Sequence, residues 1–275
     1  MRLDAITVYP VKSTRGLSRQ EAVVQPWGLT DDRRWMVVDA EGSLVTARKH
    51  PELLGVVATP GQPGTIRLQG SHAEPLEVDA RSRRGLVPVR VWRSHLDATH
   101  VGPQAGAWFA KLLGQDVRLV WLDDPTRRPV DPEYGRPEDR VCFADGYPLL
   151  VANTASLRQV DAWAAEDAAL RDEAAPGPLD MRRFRPSIVV DTDDPFAEDH
   201  WRRIRVGAVE FRAVKPCDRC VLTTIDPDTL AKGKEPLRTL ARHRRRDSKV
   251  LFGINLIPDG TGTIRVGDPV TVLSG

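Results

Sequence analysis

From Met1 to Trp92 the chain runs in short apolar stretches, each broken by glycine, proline or a polar turn within several residues. "LDAITVYPV" breaks into "KSTRG", and "EAVVQPW" follows as a second short strand. "RRWMVVDAEGSLVTAR" predicts a hairpin, with Trp35 to Asp39 outward, a turn at Glu41-Gly42 and Leu44 to Ala47 returning. "GTIRLQG", "PLEVDA" and "LVPVRVW" continue the rhythm. Stretches this short cannot carry long helices. Their β-branched content and regular punctuation predict a barrel or sandwich.

The pattern then changes. "PQAGAWFAKLLG" predicts a helix with Trp108, Leu112 and Leu113 on one face and Gly114 as its stop. "VRLVWL" reads as a strand. The polar, proline-rich "DDPTRRPVDPEYGRPEDR", Asp123 to Arg140, suits a domain boundary or an active-site loop. Beyond it, "YPLLVANTASLRQVDAWAAE" contains a helix begun by Asn153 or Thr154, with Leu157, Val160 and Trp163 sharing a face. "RPSIVVD", "CVLTTI" and "KVLFGINLIP" read as strands, "IRVGAVEFRAV" as a hairpin turning at Gly207, and "EPLRTLARHRR" as a helix. "GTIRVGDPVTVL" predicts a closing hairpin. "GTG" at Gly260 to Gly262 is a turn, because no helix follows it. The expected architecture is mainly β with a few helices (α+β), in two β-barrel-like domains, residues 1–122 and 123–275.

Length and composition agree with this. A chain of 275 residues, 41% hydrophobic and 28% charged, holds one large or two ordinary domains with real cores. Its net charge is only +2. The clusters "RSRR" (Arg81 to Arg84) and "RHRRR" (Arg242 to Arg246) are therefore local, read either as solvated loops or as a docking patch. Neither a nucleic acid nor a membrane is an expected partner: no run approaches the ~20 apolar residues of a membrane helix. "MRLDAITVYP" is charged at Arg2 and Asp4 and is no secretory signal. Three cysteines, an odd and small set, argue against a disulfide framework and for a reducing, cytoplasmic setting.

Two of those cysteines stand in "KPCDRCVLTTIDPDTL", and four readings of the pair are open. Half a zinc site wants a second pair, which the chain lacks. A redox dithiol belongs at a helix N-terminus, whereas Val221, Thr223, Thr224 and Ile225 favour a strand. A third reading makes both sulfurs small buried hydrophobes. Or one thiolate ligates a cofactor metal, favoured by Lys215 and Arg219; on an extended chain residues three apart face opposite ways.

The surrounding motifs carry a resemblance. "KPCDRCVLTTIDPDTL" resembles the signature of the MOSC family, named for the C-terminal domain of molybdenum cofactor sulfurase. "YPVKSTRGLS" and "DDRRWMVVDAEGSLVTAR" resemble that family's N-terminal β-barrel domain. "FADGYPLLVANTASL", "RRFRPSIVV", "EPLRTLARHRR", "LFGINLIP" and "GTIRVGDPV" follow in the family's order, so the resemblance spans essentially the whole chain. Within the family, the mitochondrial amidoxime-reducing component and its bacterial counterparts are similar to it.

The resemblance implies a molybdenum cofactor (Mo-molybdopterin) and one protein ligand to the metal, Cys220, the second cysteine of the motif. Cys217 is then a neighbouring or structural residue. A soft thiolate beside a dithiolene suits oxygen-atom transfer. The implied reaction is reduction of small N-hydroxylated compounds: amidoximes, hydroxylamines and N-hydroxylated bases. Implied cofactor contacts are Lys12, Ser13, Arg33, Asp145, Gly146, Arg185, Asp218, Arg219 and Asn255. Asp145 is also the nearest candidate for proton chemistry. Of Arg33 and Arg34, adjacent on an expected strand, Arg33 fits the Asp-Arg-x-Trp pattern. The chain departs from the family at Ser187, where Asn is common. Three cysteines cannot hold a [2Fe–2S] cluster of the ferredoxin type, so electrons are expected from a separate ferredoxin, flavoprotein or cytochrome. A carrier of cofactor or sulfur, using the same Cys220, is the alternative function.

Overall fold

The computed structural model describes residues 1–81 and 85–275, so Ser82, Arg83 and Arg84 of the first basic cluster lie outside the described residues. Strands dominate, with three α-helices among the described residues. None of their helices is long and apolar enough to cross a membrane. The chain forms two compact units, and neither is one continuous segment. The first takes Met1–Thr7, Ser18–Pro26 and Leu149–Gly275; the second takes Val8–Leu17 and Trp27–Pro148.

In the second unit, an antiparallel sheet runs Trp35–Asp39, Val117–Trp121, Ser94–His100, Leu86–Val91. Alternation works along its outer strand, where Val89 and Val91 are buried while Leu86, Pro88 and Arg90 are exposed. These valines join Met36, Val38, Val120, Leu122, Cys142 and Phe143 in one core cluster. Burial pushes the Cys142 thiol up to about 12, which marks it as an inert core residue. Val57–Pro60, Thr65–Gly70 and Ala73–Asp79 form a second, three-stranded sheet. Helix α1 (Pro103–Leu113) starts on Pro103 and stops at Gly114 in the left-handed region, φ 65°. It buries Trp108, Phe109 and Leu113, while Leu112 is only partly covered.

The expected hairpin after Asp39 is real but brief. Val45 N–H donates to Val37 O, and Val38 bridges Leu44. The return arm then leaves, and Val117–Trp121 takes its place as sheet partner. The polar stretch from Asp123 to Arg140 lies wholly within this unit.

The first unit is built on a sheet ordered Val270–Ser274, Arg203–Val206, Val209–Asp218, Lys249–Pro258, Leu149–Asn153, Ile188–Asp191, Arg2–Val8. Leu149–Asn153 and Ile188–Asp191 pair in parallel, so the chain between them must cross over. Helix α2 (Thr154–Ala169) does so. Asn153 caps it, its side-chain oxygen accepting from Ala155 N–H at 2.9 Å. Its Val160, with Leu157 and Trp163, packs on Phe184, Phe252 and Leu240, the last from α3 (Leu237–His243). The predicted hairpin at Gly207 forms, with Gly207 at φ 56°.

Two expectations are overturned. "GTIRVGDPVTVL" is not a hairpin: Gly262–Arg265 pairs with Glu21–Gln25, and Val270–Ser274 pairs with Arg203–Val206. Each arm pairs over four residues with a strand distant in sequence instead of with its neighbour. "CVLTTI" is not a strand but a 3-10 turn over Val221–Thr224. The Thr223 and Thr224 hydroxyls donate back to Cys220 O and Val221 O, at 3.0 and 2.8 Å. Such local bonds outcompete the weak β preference of a short threonine-rich run.

Candidate functional site

In the second unit, the "KSTRG" segment turns sharply. Ser13 sits at φ 73°, and Thr14 donates from both N–H and hydroxyl to Val11 O. This turn buries Lys12, whose Nζ donates to Phe143 O at 2.8 Å and to Asp145 Oδ1 at 2.5 Å. Burial pulls Lys12 down to about 8 against the upward pull of Asp145. The Asp145 side chain is 63% exposed yet collects three donors. Besides Lys12, Trp92 Nε1 donates at 3.0 Å and Arg48 Nη2 at 3.4 Å. Partial burial would raise its carboxyl, but these partners, Lys12 first, hold it well below the usual carboxylate range.

Arg33 belongs to the same cluster, though not as a strand residue. The strand starts at Trp35, and Arg33 turns at φ 47°. Its backbone is tied at both ends: Arg33 N–H donates to Tyr9 O, and Arg33 O accepts from Phe143 N–H. Its guanidinium lies 4.3 Å from the Tyr9 ring centre and 2.5 Å from Asp32 Oδ2. Burial is the largest single influence and would lower its pKa, but Asp32, Tyr9 and Asp145 together carry the net direction up. Arg34 faces elsewhere, donating through Nε to Leu122 O at 2.9 Å. Thus Lys12, Ser13, Arg33, Asp145 and Gly146 are gathered by this unit.

Sequence reasoning missed Arg128. It is buried, and it donates to Cys142 O, to Ala144 O at 2.6 Å and to Asp145 O at 3.0 Å. Burial draws it down to about 10. Arg128 thereby fixes the backbone of "CFAD", which presents Asp145 to Lys12. Nothing in its polar, proline-rich context distinguishes it from its neighbour Arg127, which pairs with Asp123 at 2.6 Å.

In the first unit the cysteine pair straddles the end of a strand. Cys217 lies in Val209–Asp218, whereas Cys220 follows it with extended backbone, φ −128° and ψ 179°. Both are partly exposed thiols. Opposite Cys217 the partner strand carries a bulge: Pro216 pairs with Ile254 and Asp218 with Leu251. Gly253 takes up the bulge at φ 75°. Arg219 reaches back, its Nη1 2.9 Å from Cys217 Sγ and its Nη2 2.7 Å from Phe184 O. Its Nε is buried without a hydrogen-bond partner. Arg185 follows Phe184 at φ 54°. Asp218 faces Lys249 across 3.7 Å, and Asn255 Nδ2 donates to Lys215 O at 3.0 Å. Ser187 is buried, its hydroxyl accepting from Leu150 N–H.

Among the described residues no three His, Cys, Asp or Glu side chains converge to hold a metal ion. A single thiolate with the other donors brought by a cofactor needs no such group.

The mainly β fold agrees with the family models that match this chain. Residues 1–116 match the MOSC N-terminal beta barrel domain, and residues 138–271 match the MOSC domain. The chain belongs to the MOSC family. It is 32% identical to human mitochondrial amidoxime-reducing component 1 over 97% of its own length and 81% of that relative. The mouse protein of the same name is 34% identical over 97% of this chain and 80% of its own. Human mitochondrial amidoxime reducing component 2 is 32% identical over 96% and 81%.

Proposed function

We propose that this protein is a molybdenum-cofactor-dependent reductase of N-hydroxylated compounds, working in a reducing, cytoplasmic setting with electrons from a separate redox protein. The observation that carries this reading is the 32% identity to a named amidoxime-reducing component over 97% of the chain. Each unit's side chains suit the group. Cys220 offers one partly exposed soft donor. Lys12 and Arg33 are cations for a phosphate, with Ser13 and Gly146 beside them. Arg219 keeps a buried Nε unpartnered, and Arg185, Asp218 and Asn255 border the same strand end.

When bound, the cofactor supplies oxygen-atom and electron transfer chemistry. Cleaving the N–O bond of an amidoxime consumes two electrons and two protons and yields an amidine and water. Asp145 holds no proton at neutral pH, so it acts as an acceptor and as the counter-charge of Lys12. Lys12 Nζ, drawn down to about 8 by burial, stays mostly protonated at neutral pH and keeps its charge beside Asp145.

The test is reduction of benzamidoxime by the molybdenum-loaded protein with reduced methyl viologen, read as benzamidine. Stoichiometric metal with no benzamidine would overturn the reductase reading in favour of a cofactor carrier.

A further inference from the structure

The basic run Arg242 to Arg246 is only partly neutralised by the fold. Arg242 and His243 both approach the buried carboxylate of Asp167, at 2.9 and 3.1 Å, and Arg244 meets Asp199 at 2.5 Å. Arg245 and Arg246 remain exposed, with no carboxylate partner among the described residues. They form a short strand against Lys249 and Val250: Arg245 pairs with Val250 and Arg246 with Lys249. The tip carries Asp247, and Lys249 is half exposed, 3.7 Å from Asp218. The excess charge is therefore positive and concentrated on one β-hairpin.

That hairpin is wired to the cysteine segment. Val250 O accepts the N–H of Arg219 at 2.7 Å, and Leu251 pairs with Asp218. Val250 thus lies between Arg245 and the residue preceding Cys220. Two strand spacings, roughly 10 Å, separate the backbone of the exposed arginine from that of Arg219. A partner seated on the hairpin would lie beside the Cys220 segment.

We propose that the hairpin Arg245–Lys249 is the docking surface for an acidic electron-carrying protein, which delivers its electrons one at a time to the Cys220 side of this unit. This rests on the reductase reading above. A protein partner fits better than a nucleic acid, since the cations are few, occupy one hairpin tip and have no exposed aromatic among them. Charge on such a patch acts mainly on the rate of encounter and fades with salt.

The test uses the full chain, the Arg245→Glu/Arg246→Glu variant and two donors: a reduced plant-type [2Fe–2S] ferredoxin with its NADPH reductase, and methyl viologen. Both proteins are also passed over immobilised ferredoxin at low salt, a readout that needs no cofactor. The variant should keep the viologen-driven rate and wild-type melting. It should lose about tenfold or more of ferredoxin-driven kcat/KM and elute early from the ferredoxin column. Wild-type ferredoxin-driven turnover should fall as salt rises. A variant that stays within twofold of wild type with ferredoxin, or tighter binding of single-stranded RNA than of ferredoxin at the same salt, would overturn the docking surface. Absence of viologen-driven activity in the wild type would instead sink the reductase reading, and the column would still report on the hairpin.

Discussion

Arg219 places its guanidinium on Cys217, with 2.9 Å between Nη1 and Sγ. The two cysteines of "KPCDRC" are thus chemically unequal. One sulfur carries an arginine, while the other stands at the strand end, ahead of a 3-10 turn.

Replacing each cysteine should expose that inequality. Cys220→Ala is expected to abolish molybdenum binding and benzamidoxime reduction, while Cys217→Ala keeps most of both. Elemental analysis of the purified variants, alongside viologen-driven turnover, measures this. Equal loss of metal in both would mean a two-sulfur site.

Asp145→Asn should destabilise the protein in a pH-dependent way. Lys12 sits in the folded protein at about 8, below its usual 10.5. Below about 8 it is charged and buried, and the carboxylate offsets part of that cost. Above 8 the folded state sheds the proton, so removing Asp145 costs less. With the carboxylate largely exposed, the loss at pH 7 is about 1–2 kcal/mol, shrinking by pH 9.5. Urea unfolding at the two pH values decides it; a constant difference would remove Lys12 from the account.

Arg128→Ala strips the donor from three carbonyls of the "CFAD" backbone at once. Unsatisfied buried acceptors cost about 1–3 kcal/mol each before relaxation, so a loss of roughly 3 kcal/mol is expected. Arg128→Lys, which lacks the planar fork, should recover only part. Chemical denaturation of both variants gives the answer, and full recovery by lysine would show that charge alone matters.

Gly253→Ala attacks the bulge opposite Cys217. An added Cβ would lie 2.7 Å from Val151 O, at a φ of 75°. Side-chain-bearing residues pay for both, so a loss of about 2 kcal/mol or more is expected, seen as a lowered Tm. An unchanged Tm would show that the strand can shift by a residue's width.

Much of this molecule was legible in its residues. Short apolar runs with glycine and proline breaks dictated a mainly β fold because each run can bury a face only by pairing. Gly114 and Asn153 mark helix ends through local backbone chemistry, and the structure finds α1 and α2 bounded there. The motif residues Lys12, Ser13, Arg33 and Asp145 stand out in sequence, and the second unit gathers them.

What only tertiary structure decided is partnership. Sequence neighbours at Gly262–Arg265 and Val270–Ser274 pair with distant strands, because hydrogen-bonding groups along a strand accept any edge that fits. Arg2–Val8 joins a sheet with Ile188–Asp191, which no local pattern announces. Arg128 looks like any loop arginine until the chain folds three carbonyls around it. The cysteine pair shows the limit most clearly. Threonine hydroxyls curl the residues after Cys220 into a turn, and Arg219 chooses Cys217, because burial and hydrogen bonding outweigh the weak intrinsic preference of a few β-branched residues.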